Sequence, residues 1–192
     1  MKLTVRPLTP SLWPALEDLF GKDGARSGCW CMHMRIGAAY RRRPPAKNKE
    51  AFRALVRRGP SPGLLAFDGD VAVGWCQLTP RAAVPQLDRT WRLATVDDVP
   101  VWSLTCFYVR KGYRRRGVGS ALIAAAIKAA KRAGAPALEA YPFDATLSPS
   151  TSATGYASTF ARSGFRVVAR RDPARPIMRH DLRNVPNVSV AR

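Results

Sequence analysis

The stretch Val109-Arg-Lys-Gly-Tyr-Arg-Arg-Arg-Gly-Val-Gly-Ser120 constrains the fold of this chain more than any other. Before it, Val101 to Val109 is rich in β-branched and aromatic residues and reads as a buried strand. After it, Ser120 to Arg132 puts Leu122, Ile123, Ala126, Ile127 and Ala130 on one side of a helix that Gly134 and Pro136 end. A strand that turns through glycines directly into a helix is the unit of an α/β domain. Gly117 and Gly119 remove side chains where the backbone bends and approaches a ligand. The first helical amides lack intrahelical partners and lie at the positive end of the helix dipole. Arg114, Arg115 and Arg116 add charge at the same mouth, so the loop suits phosphate groups. It lacks the Lys-Ser/Thr ending of a P-loop and is not the G-x-G-x-x-G of a dinucleotide fold. A solvated basic turn is the plainer alternative; the succession of strand, glycines, arginines and helix favours a pyrophosphate cradle.

The rest of the chain supplies matching elements. Lys2 to Leu8 alternates as a strand, and Ser11 is placed to cap a helix reaching Phe20, with Leu12, Leu16 and Leu19 as its buried stripe. Lys47 to Arg58 reads as a second helix. Leu64 to Phe67 and Val71 to Leu78 flank Asp68-Gly69-Asp70, a hairpin signal. Thr79 to Asp98 is a connection without clear periodicity. Ala137 to Phe143 reads as a strand and Tyr156 to Arg162 as a short helix stopped by Gly164. Phe165 to Arg171 and Pro176 to Leu182 read as a closing hairpin. The order β-α-α-β-β-β-α-β-α-β-β predicts one α/β domain on a mixed sheet over residues 1–182, with 183–192 as a tail.

The 192 residues suit a single domain that needs neither disulfides nor metal to hold together. No apolar run approaches a membrane span, and the N-terminal segment has no apolar core of a secretory signal, so the expected compartment is the cytoplasm, without membrane attachment. The net charge of +19 attracts anions or polyanions and says nothing about fold. It is spread along the chain, as on a generally basic solvated surface. So few carboxylates poorly suit a polycationic partner. A small partner, or one attached to an anion such as a nucleic acid, fits the field better.

Arg114-x-x-Gly117-x-Gly119, set between a strand ending at Val109 and an Ala/Ile-rich helix, resembles motif A of the GNAT N-acetyltransferases. The element order is similar too, and Phe160-Ala-Arg-Ser-Gly-Phe165 resembles the helix ending near that fold's C-terminus. Gly28-Cys-Trp-Cys-Met32 and Arg175-Pro-Ile-Met-Arg179 resemble an uncharacterised bacterial branch. The resemblance implies a single α/β domain whose mixed sheet is flanked by helices and splays between the strand from Trp102 and the one from Ala137. It implies acetyl-coenzyme A as co-substrate and acetyl transfer to an amine acceptor, by a monomer or homodimer. Arg114, Arg115, Arg116, Gly117, Val118, Gly119 and Ser120 would hold the pyrophosphate, and the backbone of Phe107, Tyr108 and Val109 the pantetheine arm. A non-catalytic basic adaptor for RNA or ribosome is the alternative. The family often protonates the leaving thiolate with a Tyr where this chain has Phe160. Some members use a Glu base at the position matched here by Ser103.

Two side chains are left for proton transfer. Tyr156, four residues before Phe160, is expected on the same helix face, displaced toward the N-terminus. Glu139 is expected opposite Leu138 and Ala140, as a general base or as a carboxylate paired with an arginine. Cys29, Cys31 and His33 alternate, so an extended segment would bring them to one face. Zinc sites usually need four ligands and wider Cys spacing, so reduced, metal-free thiols walling a pocket are expected.

Overall fold

The computed structural model describes residues 2–144 and 153–183; residues 184–192 of the expected tail lie outside the described residues. After β1 (Leu3–Pro7), a 3-10 turn leads into α1 (Trp13–Phe20), α2 (His33–Ile36) and α3 (Pro45–Arg58). The hairpin β2 (Gly63–Asp68) and β3 (Val71–Pro80) follows, then β4 (Trp102–Val109) and α4 (Val118–Arg132). β5 (Ala137–Ala140), α5 (Ala157–Ala161), β6 (Arg166–Ala169) and β7 (Ile177–Asp181) complete the order, which is the expected one with α2 added.

The strands form one seven-stranded sheet in the order β1-β2-β3-β4-β5-β7-β6. Every pairing is antiparallel except β4 with β5, so the sheet is mixed. Period-two alternation sends residues to two faces. On one face α4 presents Val118, Leu122, Ile123, Ala126 and Ala130 to Leu64, Ala66, Leu104, Leu138 and Ala140. Gly74 of β3 permits that approach, since a Cβ there would lie 2.5 Å from Val118 Cγ1. On the other face Leu65, Phe67, Ala72 and Trp75 meet α1 and α3 through Trp13, Leu16, Phe20 and Phe52. A third cluster on that same side joins Val84, Leu87 and Leu93 to Tyr141 and Ile177.

Three expectations need correction. Ser11 caps no helix: its hydroxyl meets Thr9 Oγ1 at 2.9 Å, and α1 begins two residues later with Pro14 in its first turn. Trp13 and Phe20, rather than Leu12, complete the buried stripe of α1. Cys29, Cys31 and His33 do not share an extended segment, because Trp30 and Cys31 both adopt left-handed φ, 44° and 58°, before α2 begins.

Candidate active site

Between β4 and α4 the chain turns through left-handed φ at Arg115 (59°) and Gly117 (82°). Gly117 is the N-cap of α4 and supplies no side-chain cap, so the first-turn amides remain without an intrahelical partner. The space beyond Gly119 is open: among the described residues, no atom outside its own helix and chain neighbours lies within 4 Å of where a Cβ would be. Arg114, Arg115 and Arg116 are exposed around this mouth. Arg114 Nε donates to Val109 O at 3.3 Å, and the Arg116 guanidinium lies over the Tyr113 ring at 5.4 Å. From Val109 to Gly134 the chain has no Asp or Glu. Arginines, an uncapped helix start and room for close backbone approach thus coincide, and the residues present fit a diphosphate.

Beside the cradle the sheet parts. β4 and β5 pair over three residues, from Trp102↔Leu138 to Leu104↔Ala140, and beyond Leu104 β4 continues to Val109 paired with β3 but no longer with β5. Where β4 pairs with β3, the register slips so that Thr105 is an extra residue, a β-bulge. The bulge turns Cys106 and Tyr108 toward the cluster of α1 and α3, while Phe107 packs on the α4 side. Residues 153–157 close the far side of the parting. The Phe107 amide donates to Ala153 O at 2.6 Å, and the Phe143 amide to Gly155 O at 3.0 Å. Tyr156 is not inside the helix: it is the N-cap of α5, in extended conformation, bridged in parallel to Phe143. Phe160 is fully buried against Phe107 and Phe165.

Glu139 and Tyr141 lie on the face away from α4, inside a network of arginines and carboxylates. The Glu139 side chain is 2% exposed and both carboxylate oxygens are engaged. Oε1 accepts from Arg179 Nη2 at 2.7 Å and Nε at 3.1 Å. Oε2 accepts from Tyr141 OH at 3.0 Å and faces Arg81 Nη1 at 3.4 Å. Arg179 continues to Asp97 at 2.7 and 3.0 Å, and Arg81 to Asp88 at 2.6 Å and Leu93 O at 2.8 Å. Hydrogen bonds from Arg179 hold the Asp97 carboxyl below the usual range. Burial, helped by the Glu139 charge, pushes the Tyr141 hydroxyl far up, so it stays a donor. Of the two roles open to Glu139, the paired carboxylate is the one this geometry displays. The network ties the 81–98 connection to β5 and β7, which explains how a segment without periodicity is held.

The model of the acetyltransferase (GNAT) family matches residues 29–156, well over half of the chain. The chain belongs to the GNAT family. GNAT structures also resemble it across nearly their whole length. The PaiA N-acetyltransferase from Thermoplasma acidophilum, in complex with coenzyme A, is 18% identical with a TM-score of 0.56, covering 94% of this chain and 99% of its own. The yncA structure from Salmonella typhimurium, with its cofactor acetyl-CoA, is 14% identical with a TM-score of 0.56, covering 100% of both chains. The ribosomal-protein-S18-alanine N-acetyltransferase from Escherichia coli is 12% identical with a TM-score of 0.52, covering 97% and 98%. No curated protein sequence matches the chain.

This GNAT chain lines the α1–α3 side of the parting with groups that sequence reasoning left aside. Thr105 Oγ1 donates to the buried Gln77 Oε1 at 3.1 Å. Gln77 Nε2 and Thr79 Oγ1 are shut off from solvent with no hydrogen-bond partner among the described residues. The period-two alternation Trp75, Gln77, Thr79 was the available signal, since a polar pair inside an otherwise apolar strand needs a reason. Cys31 Sγ donates to Cys106 Sγ at 3.9 Å and accepts from Trp75 Nε1 at 3.1 Å. That donation holds the partly buried Cys106 thiol below its ordinary value, while burial pushes Cys29, Cys31 and Cys76 up. All four cysteines are free thiols. No group of three or more His, Cys, Asp or Glu among the described residues is placed to hold a metal. No helix of the described residues is long and apolar enough to cross a membrane.

Proposed function

We propose that this GNAT protein transfers an acetyl group from acetyl-coenzyme A to the nitrogen of an amine. The observation that carries the reading is the juxtaposition of the cradle at Arg114–Ser120 with the parting of β4 from β5, within a chain of this family. The pyrophosphate takes the amides of Arg115 to Ser120 and the charge of Arg114 to Arg116. The pantetheine arm follows the backbone of Phe107, Tyr108 and Val109, and exchanges the Ala153 carbonyl for its own acceptor on the Phe107 amide. At the parting, the lone pair of a neutral amine attacks the thioester carbonyl. The C–N bond forms as the C–S bond breaks, and a backbone N–H of β4 stabilises the developing oxyanion. The amine gives up one proton and the leaving thiolate gains one.

Tyr156, on the rim beside Phe143, is the side chain we assign to the thiolate's proton, since Phe160 offers no proton at the family's customary position. With both Glu139 oxygens engaged, the amine's proton passes to water, and Glu139 acts by fixing Tyr141 and Arg81. The test is a panel of primary amines with acetyl-coenzyme A, reading thiol release and acetylated product by mass. One thiol released per acetylated amine is expected. Thiol release with no amine product, or neither, contradicts the reading and favours a basic RNA- or ribosome-binding adaptor.

A further inference from the structure

The rim of the parting gathers arginines from separate segments, and one of them, Arg175, makes no ion pair among the described residues. Arg175, just before β7, lays its guanidinium over the Phe143 ring at 4.9 Å. Phe143 is bonded to Gly155, and Ala153 to the Phe107 amide, so one short run of contacts joins Arg175 to the strand that lines the site. Arg175 Nε is shut off from solvent, and nothing among the described residues accepts a hydrogen bond from it. Partial burial lowers the hold of Arg175 on its proton; Asp172 opposes this and Arg92 adds to it.

Among the described residues, the nearby carboxylates already have partners. Asp172 meets Arg92 Nε at 3.4 Å and accepts the Ala174 amide at 3.0 Å. Asp144, whose amide binds Ala174 O, accepts from Arg170 at 2.6 Å. Met34 of α2 packs against the cluster that holds Ile177, two residues past Arg175. Next to Met34, His33 and Arg41 flank Tyr40: the imidazole is 5.5 Å from the ring centroid, and Arg41 Nε donates to the Tyr40 hydroxyl at 3.1 Å. Partial burial, then the charges of Arg41 and Arg175, hold His33 below the ordinary imidazole range.

Like charges gathered from separate segments are unfavourable in the free protein. A fold keeps such a conflict where a ligand of opposite sign resolves it. A scattered solvated surface does not account for a guanidinium stacked on an aromatic ring with its Nε dry and unpaired. The ring contact holds the guanidinium in place, which leaves little ordering to do when it takes a carboxylate or phosphate oxygen.

We propose that Arg175, with His33 and Arg92 beside it, binds a carboxylate or phosphate group carried by the amine acceptor. The word acceptor rests on the acetyl-transfer reading; the anion site itself does not. The protein therefore acetylates anionic amines in preference to neutral ones of the same size.

The site is tested first without turnover. His33 is one of two histidines, so its ring resonances are assigned by comparison with His33→Gln. Replacing chloride by inorganic phosphate, and separately by propionate, at constant ionic strength should raise the His33 pKa in the native chain, and not in Arg175→Gln. Which anion acts separates the phosphate from the carboxylate source. A His33 pKa indifferent to both anions overturns the proposal. Turnover then compares O-phosphoethanolamine and 3-aminopropanoate with propylamine. The native chain should prefer at least one anionic amine by about tenfold or more in kcat/KM, and Arg175→Gln should bring that ratio near unity. Equal use of all three by the native chain also overturns it. A His33 response with no amine acetylated supports the anion site and contradicts acetyl transfer instead.

Discussion

Glu139 and Arg179 stand directly opposite each other in the β5–β7 ladder, and their side chains close at 2.7 and 3.1 Å. Breaking a buried pair by removing one charge costs about 3–5 kcal/mol, because the partner is left uncompensated. Arg179 retains Asp97 and Arg81 retains Asp88, so Glu139→Gln belongs at the low end. The expected result is a melting temperature lower by about 6–12 °C, with turnover of the folded protein reduced less than about tenfold. A loss of about 10²–10⁴-fold at unchanged stability would assign Glu139 to proton transfer after all.

Tyr156→Phe tests the other candidate. If the Tyr156 hydroxyl protonates the thiolate, its removal lowers kcat by about 10²-fold with little change in acetyl-coenzyme A affinity. A loss below about tenfold, equivalent to 1.4 kcal/mol, passes that role to water.

The thiols give a prediction of order. Cys106 is partly exposed and is held low by the donation from Cys31, whereas burial raises Cys29, Cys31 and Cys76. The thiolate is the reactive form, so near neutral pH iodoacetamide should modify Cys106 first. Peptide mass mapping that finds Cys29 modified ahead of it contradicts the assignment. Elemental analysis should find no zinc; stoichiometric zinc that Cys29→Ser removes contradicts the metal-free reading.

Gly74→Ala tests how the core positions the cradle. The added Cβ would lie 2.5 Å from Val118 Cγ1 and 3.2 Å from Leu122 Cδ1, so α4 must move. Overpacking of this kind costs about 1–3 kcal/mol. Because Val118 is the first residue of α4, acetyl-coenzyme A affinity should fall together with melting temperature. Lowered stability with full affinity would separate cradle from core.

Where local pattern decides structure, the sequence was readable. The turn from β4 into α4, the hairpin around Gly69 and the apolar side of α4 follow from residues within one helical turn or one strand pair. The face of Glu139 also followed, from Leu138 and Ala140 beside it. What could not be read depends on residues far apart in the chain. The charged partners of Glu139 come from positions 81 and 179, and they hold the 81–98 segment that has no pattern of its own. The left-handed backbone at Trp30 and Cys31 is set where the Trp30 ring packs on Trp13 and Phe20 and Cys31 bonds to Trp75, so alternation misled there. Likewise, the spacing of Tyr156 from Phe160 predicted a shared helix face, but the bridge to Phe143 keeps Tyr156 outside the helix.

If the turn into α4 holds the pyrophosphate of acetyl-coenzyme A, crowding that turn must weaken binding without unfolding the chain. Titration calorimetry of the native chain and of Gly119→Val, paired with thermal melts, measures both. Open space around Gly119 lets the variant fold, and its side chain would fill the room needed for the diphosphate. The expected result is an unchanged melt and affinity weaker by about tenfold or more, roughly the worth of one charge-assisted contact. Undiminished affinity in a folded Gly119→Val, or no binding by the native chain, would contradict it.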